Sequence, residues 1–126
     1  MTEKRILMRV KVDIFNNSFS TLNLIQGPEW FEMENPAASS ISPKSTMVFT
    51  LDATDRTSLF PDDVYYAADT YDTTAPRFDF HFQCTEGNPL GLAVNGAAPS
   101  GFTCKLIKNE ALDYLNREVI FEVDAS

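Results

Sequence analysis

The chain has 126 residues, of which 44% are hydrophobic and 12% aromatic, and its formal net charge at pH 7 is -8. This length fits one domain over residues 1–126, and an apolar content of this size supports a core and excludes a largely disordered chain. The acidic charge argues against a nucleic-acid partner, because phosphate binding requires clustered Lys and Arg, and no apolar run approaches the roughly 20 residues of a membrane-spanning helix.

The N-terminal part alternates between apolar and polar side chains. Every even position from Ile6 to Ile14 is apolar, which predicts a long strand over residues 5–15 because only a period of two fits this pattern. A second alternating run covers residues 19–25, and the Asn-Asn-Ser stretch at residues 16–18 supplies turn formers between the two runs. We therefore predict that the two strands form a hairpin.

The same alternation recurs to the end of the chain. It predicts strands at residues 46–51, 64–68, 77–84, 102–108 and 117–123, with polar loops between them. Asn95-Gly96 is the strongest short hairpin signal in the sequence. Seven to nine short strands with no convincing helix indicate an all-β domain, either an antiparallel β-sandwich or a closed barrel.

Two cysteines, Cys84 and Cys104, fall on the apolar faces of their predicted strands. We expect reduced, buried thiols, since a free cysteine behaves as a small hydrophobic residue. A disulfide between them is the alternative, and it would stabilise the fold by about 3 kcal/mol through loop closure.

Catalytic and metal-binding signals are weak. The one histidine, His81, lies on the polar side of its strand, and no motif marks an activated nucleophile beside it. The acidic loops at residues 52–63 and 69–76 lack the ligand spacing of an EF-hand, although a surface calcium site is an alternative. We expect no catalytic residue, metal or cofactor, and a protein that is not an enzyme.

Aromatic residues near turns are the most informative candidates for a lipid- or ligand-binding site. Trp30 and Phe31 are adjacent, as are Tyr65 and Tyr66, so one member of each pair should point outward if the backbone is extended. Tyr71 lies in a loop. Such aromatic side chains suit membrane interfaces and sugar-binding faces, although rings that fold back over the ends of the sandwich would give the same pattern.

The chain resembles the aegerolysin family, small acidic β-sandwich proteins of fungi and bacteria. Residues 10–18, with the sequence VKVDIFNNS, are similar to the family's first strand and Asn-rich turn. A Trp precedes a Pro-containing loop at residues 30–36, an aromatic strand at residues 80–84 leads into a Pro-Gly turn at residues 88–91, and a Val-x-Phe-x-Val strand follows at residues 119–123. The resemblance implies a β-sandwich.

The resemblance also implies a function in membrane recognition. Such proteins bind a membrane lipid or membrane receptor, and many are one component of a two-component pore-forming cytolysin whose partner protein supplies the pore. The single Trp and the acidic loop at residues 52–63 bring the chain nearer to the bacterial insecticidal branch than to Trp-rich fungal members. The net charge favours neutral lipids over anionic membranes.

Two alternatives remain from the residues themselves: a lectin-like carbohydrate-binding module, and an acidic protein-interaction or inhibitor module with a basic partner. Residues 1–5 carry no apolar stretch of the signal-peptide kind. We therefore expect cytoplasmic synthesis without a signal peptide, with non-classical release to act on target membranes.

Overall fold

The computed structural model describes residues 5–34, 39–55, 57, 59–87 and 89–126. This part of the chain contains ten strands and no helix. The strands are β1 (Ile6–Asn16), β2 (Leu22–Gln26), β3 (Glu32–Glu34), β4 (Ser40–Ile41), β5 (Ser45–Thr54), β6 (Asp62–Ala68), β7 (Arg77–Thr85), β8 (Gly91–Ala97), β9 (Phe102–Ala111) and β10 (Asn116–Ala125).

Two five-stranded sheets pack as a β-sandwich. The first sheet has the order β3-β5-β1-β10-β9, and the second has the order β4-β2-β6-β7-β8. The predicted all-β sandwich is therefore confirmed, with ten strands instead of seven to nine. The two additional short strands, β3 and β4, have three and two residues, too few for an alternating pattern to be visible in the sequence.

One predicted feature of the pairing is wrong. β1 and β2 do not form a hairpin, because they lie in different sheets and the Asn-rich turn carries the chain from one sheet to the other. The predicted antiparallel pairing is confirmed for most of the two sheets; among the described strands, β1 and β10 pair in parallel register, with Val12 opposite Val119. The predicted turn at residues 88–91 begins on a residue outside the described part of the chain.

Alternation along each strand places the apolar side chains between the sheets. The even positions of β1 from Met8 to Ile14 are at most 2% exposed, and so are Phe78, Phe80 and Phe82 of β7. Phe80 packs edge-on against Phe121 of β10, with ring centroids 4.8 Å apart. These rings join the two sheets across the centre of the core.

Both cysteines are free thiols. Cys84 is buried, whereas Cys104 is partly buried and packs against the core. Burial raises the pKa of Cys84 to about 11 and that of Cys104 to about 12. The prediction of reduced thiols is confirmed, and both remain protonated at neutral pH.

The connections between strands collect at two ends of the sandwich. The β2–β3, β5–β6, β7–β8 and β9–β10 connections lie at one end, which we call the Trp30 end. The β1–β2, β4–β5, β6–β7 and β8–β9 connections lie at the other, which we call the Phe19 end. Since β1 has 11 residues, the ends are separated by about 35 Å.

Candidate functional site

A small apolar patch at the Trp30 end is the candidate site. The Trp30 ring stacks on the Phe60 ring, with centroids 4.6 Å apart and an interplanar angle of 21°. Phe60 is 50% exposed and its neighbour Leu59 is 38% exposed. Trp30 itself is partly buried. Trp30, Leu59 and Phe60, called the Trp30 patch below, therefore form a small apolar surface whose exposed part is Leu59 and Phe60.

A buried carboxylate holds the Trp30 backbone in place. Asp62, the first residue of β6, is 4% exposed and accepts backbone N–H bonds from Glu29 at 2.7 Å, Trp30 at 2.7 Å and Phe31 at 2.8 Å. Charge-assisted bonds of this kind are among the strongest in proteins. The patch is therefore displayed on a fixed backbone, and no local sequence pattern links residues 29–31 to Asp62.

The β5–β6 connection is tied to the same frame. Thr57 Oγ1 donates to the Trp30 carbonyl at 3.1 Å, and Gln83 Nε2 donates to the Leu59 carbonyl at 3.2 Å. The Phe60 N–H donates to the Thr57 carbonyl at 3.2 Å. These bonds fix the two segments that carry the Trp30 patch, and none of them involves an aromatic ring.

Further apolar side chains lie at the Trp30 end. Leu112 and Tyr114, in the β9–β10 connection, are 57% and 77% exposed. Beside Tyr114 is an open cavity of about 340 Å³, whose lining includes Ile6, Leu7 and Leu90. Apolar exposure at this end therefore extends beyond the Trp30 patch.

Two of the predicted site residues are buried. Phe31 is 3% exposed and packs on Phe82, with centroids 6.2 Å apart, while Tyr66 is fully buried with its hydroxyl 3.7 Å from the Met47 sulfur. Because these side chains expose almost no surface, we correct the candidate list and remove both from the surface that a ligand can contact. Their neighbours, Trp30 beside Phe31 and Tyr65 beside Tyr66, are less buried.

The other two predicted residues lie on different surfaces from the Trp30 patch. Tyr65 is on the outer face of the second sheet, where the Arg77 guanidinium lies 4.7 Å from its ring centroid. Tyr71 is 58% exposed in the β6–β7 connection, at the Phe19 end. The predicted residues therefore do not form one site. Phe60, in a loop before Pro61, and Phe19, after the Asn-Asn-Ser turn, are not among the predicted site residues, although both rings are exposed.

A group of titratable side chains lies on the outer face of the second sheet. His81 Nδ1 is 2.8 Å from Asp63 Oδ1 across the β6–β7 pair. Burial, then a hydrogen bond with Asp63 and its negative charge, raises the pKa of Asp79 to about 7. Burial also acts to raise the pKa of Asp63, but hydrogen bonds with Asp79 and His81 outweigh it and lower that pKa.

This group has part of the chemistry of a catalytic unit. A His–carboxylate pair activates a hydroxyl or thiol when that nucleophile reaches the other ring nitrogen. In the described residues, His81 makes no hydrogen bond to a Ser, Thr or Cys side chain. The same residues contain no group of three His, Cys, Asp or Glu side chains that could hold a metal ion.

Comparison with known proteins shows which solved structures share this fold. No protein-family profile and no curated protein matches the chain by sequence. Solved structures with this fold include the RahU protein in complex with a TRIS molecule, with a TM-score of 0.59 and 9% identity over 97% of this chain and 98% of that chain. IP-1A from Alcaligenes faecalis matches with a TM-score of 0.56 and 9% identity over 96% of this chain and 93% of that chain. Both are aegerolysin-family proteins, so the chain shares its fold with that family.

Proposed function

We propose that the chain is an aegerolysin-like, non-enzymatic protein that binds membrane lipid through the Trp30 patch. The observation that carries the proposal is the stacked Trp30–Phe60 pair on a backbone fixed by Asp62, in which Phe60 is exposed beside Leu59 and Trp30 is partly buried. Trp is enriched at the level of lipid headgroups, where an apolar ring with one polar N–H is well accommodated. The fold shared with RahU and IP-1A supports the same class of function.

Insertion of the Trp30 patch needs no rearrangement of the core. Phe60 and Leu59 would enter the boundary between headgroups and acyl chains. Because they are 50% and 38% exposed in the free protein, burying their remaining apolar surface contributes about 1 kcal/mol each. Trp30 would remain at the headgroup level, stacked on Phe60. This contribution alone gives weak binding, so recognition of a particular headgroup would supply the remaining affinity and the selectivity.

The finer part of the proposal is that the chain delivers a pore-forming partner protein to its target membrane, as a cytolysin or an insecticidal toxin component. The described residues include no helix long and apolar enough to cross a membrane. In this proposal the sandwich binds the lipid or receptor, and the partner protein forms the pore.

Co-sedimentation with vesicles tests the lipid-binding surface. The vesicles contain phosphatidylcholine alone or with a sterol, a sphingolipid or an anionic lipid. We expect selective pelleting with at least one composition. Phe60→Ala should weaken it about five-fold by removing inserted apolar surface, and Trp30→Ala should weaken it by a similar factor by removing the ring at the headgroup level. Phe19→Ala, which removes an exposed aromatic ring at the opposite end, is the matched control and should pellet like the wild type.

Thermal unfolding of each variant confirms that the sandwich is intact. If the wild type pellets with none of the vesicles, or if Phe60→Ala and Trp30→Ala pellet as well as the wild type, the Trp30 patch does not bind lipid. In the first case, a glycan array then tests the lectin-like alternative.

A further inference from the structure

Phe19 is the most exposed large hydrophobic residue in the described part of the chain, at 85%. It lies at the tip of the β1–β2 connection, residues 17–21, called the Phe19 loop below. A single exposed apolar residue needs no explanation by itself. Phe19 is unusual because the loop that displays it is built around buried polar side chains.

Asn16 and Ser18 form the interior of this loop. Both are at most 1% exposed. The Asn16 amide donates to the carbonyls of Ser20 at 2.8 Å and of Ile41 at 3.2 Å, and its oxygen accepts the Ser18 hydroxyl at 2.6 Å. Because buried polar groups are costly unless they are satisfied, these bonds restrict the loop to one conformation.

Neighbouring residues fix the Phe19 loop from both sides. Asn17 Nδ2 donates to Asp124 at 2.6 Å, and the Thr21 N–H donates to Asp69 at 2.9 Å. Lys44 Nζ donates to the Asn17 carbonyl at 2.9 Å and lies 4.5 Å from the centroid of the Phe19 ring. The ring is therefore held by a cation–π contact while most of its surface remains in solvent.

The charge around Phe19 is predominantly negative. Asp69 and Asp124 hold the two sides of the loop, and Asp72 follows in the adjacent β6–β7 connection. Positive charge at this end includes Lys44, beside the Phe19 ring, and Arg77, the first residue of β7, whose guanidinium lies over the Tyr65 ring. The whole chain carries a net charge of -8. Complementary charge speeds association and selects partners, so this end favours a positively charged surface.

We propose that the Phe19 end is a docking site for a basic protein, with Phe19 as the anchor that enters an apolar pocket of the partner. An aromatic anchor on a preorganised loop, surrounded by polar groups, has the composition of a protein–protein hot spot, because little entropy is lost on binding. A lipid surface fits less well, since one ring surrounded by carboxylates offers little apolar area and is repelled by anionic headgroups. The docking site stands independently of the lipid-binding proposal.

The test is selection of random short peptides displayed on phage against the wild-type protein, followed by affinity measurement with the purified peptides. We expect selected peptides to combine Lys or Arg with apolar residues. Phe19→Ala should weaken their binding at least about ten-fold, as expected for an interface anchor. Phe60→Ala, at the opposite end, should leave it unchanged, and binding should weaken between about 50 mM and about 500 mM sodium chloride.

Phe19→Ala should keep the wild-type melting temperature, because the ring is almost fully exposed. Phe19→Leu should bind with intermediate affinity. Peptides that bind Phe19→Ala as tightly as the wild type, or a selection that enriches no peptide, would overturn the docking site. If Phe19→Ala instead loses vesicle binding while Phe60→Ala keeps it, Phe19 is the membrane anchor and both proposals are wrong. If the vesicle experiments show no lipid binding, the peptide measurements still test the docking site at the Phe19 end.

Discussion

Asp63 and Asp79 are neighbouring carboxyl groups on the outer face of the second sheet, and their pKa values are shifted in opposite directions. One oxygen of Asp79 is buried with no hydrogen-bond partner in the described residues when both groups are ionised. A proton on Asp79 provides an O–H that can be donated to Asp63, which explains why the pKa of Asp79 rises while that of Asp63 falls.

The raised pKa makes stability depend on pH. Asp79 titrates at about 7 in the folded protein, against an ordinary pKa of 3.8. Between these values the folded state binds more protons than the unfolded state, so Asp79 lowers stability as pH rises from about 4 to about 7. The lowered pKa of Asp63 acts in the opposite direction, with stability present above its ordinary pKa of 3.8 and lost as pH falls.

We expect Asp79→Asn to stabilise the protein at about pH 8 by about 1 kcal/mol, a value reduced from the full shift because the side chain is only partly buried and solvent screens its charge. The gain should largely disappear at about pH 4, where Asp79 is protonated in the folded state and partly protonated in the unfolded state. Urea denaturation at the two pH values measures it. A variant with equal or lower stability than the wild type at both values would contradict the proton-sharing arrangement.

Strand β8 contains a sequence that predicts a hairpin turn but forms none. Asn95-Gly96 has the sequence of a hairpin turn, yet both residues lie inside β8, and Gly96 faces Phe80 across the β7–β8 pair. A Cβ on Gly96 would lie 2.6 Å from the Cys104 sulfur and 3.0 Å from the Phe121 ring. Gly96 is therefore required by packing between the sheets, which the local sequence does not encode.

Gly96→Ala should destabilise the sandwich by about 1–3 kcal/mol, the usual cost of overpacking a core. Equilibrium urea unfolding measures this change. The Phe121 ring cannot move away as easily as the Cys104 side chain, so adding Cys104→Ala should recover only part of the loss. A stability equal to that of the wild type would contradict the close packing of Gly96 against Cys104 of β9 and Phe121 of β10.

Alternation predicted the core strands well because burial of one face imposes a period of two along each strand. β1, β7 and β10 illustrate this, and their inward-facing residues form the centre of the core. Pairing was predicted less well, since it depends on contacts between distant residues: β10 lies beside β1 although about a hundred positions separate them. The candidate site was the most difficult feature to predict, because Trp30 and Phe60 are distant in the sequence and come into contact only in the folded chain.

At the scale of the whole molecule, the sandwich separates two kinds of surface. The Trp30 end exposes several apolar side chains, whereas the Phe19 end exposes aromatic rings among carboxylates. A protein that binds lipid through the first end would direct the second away from the membrane, because the two ends lie about 35 Å apart. The arrangement allows one domain to bind a membrane and a protein at the same time.

The negative charge of the molecule should also govern which membranes it binds. Glu29 and Asp55 are exposed beside the Trp30 patch, and the chain as a whole has a net charge of -8. Increasing the fraction of anionic lipid at a fixed content of the preferred lipid should therefore weaken vesicle binding, by about ten-fold for a strongly anionic surface. Co-sedimentation over a series of vesicle compositions measures this dependence.

Salt provides the control for this electrostatic effect. Added salt screens like charges, so it should strengthen binding to anionic vesicles and leave binding to neutral vesicles nearly unchanged. A Glu29→Gln, Asp55→Asn double variant should depend less on anionic lipid than the wild type, because fewer carboxylates approach the headgroups. Binding that rises with anionic lipid would contradict both the charge argument and the placement of Glu29 and Asp55 at the membrane surface.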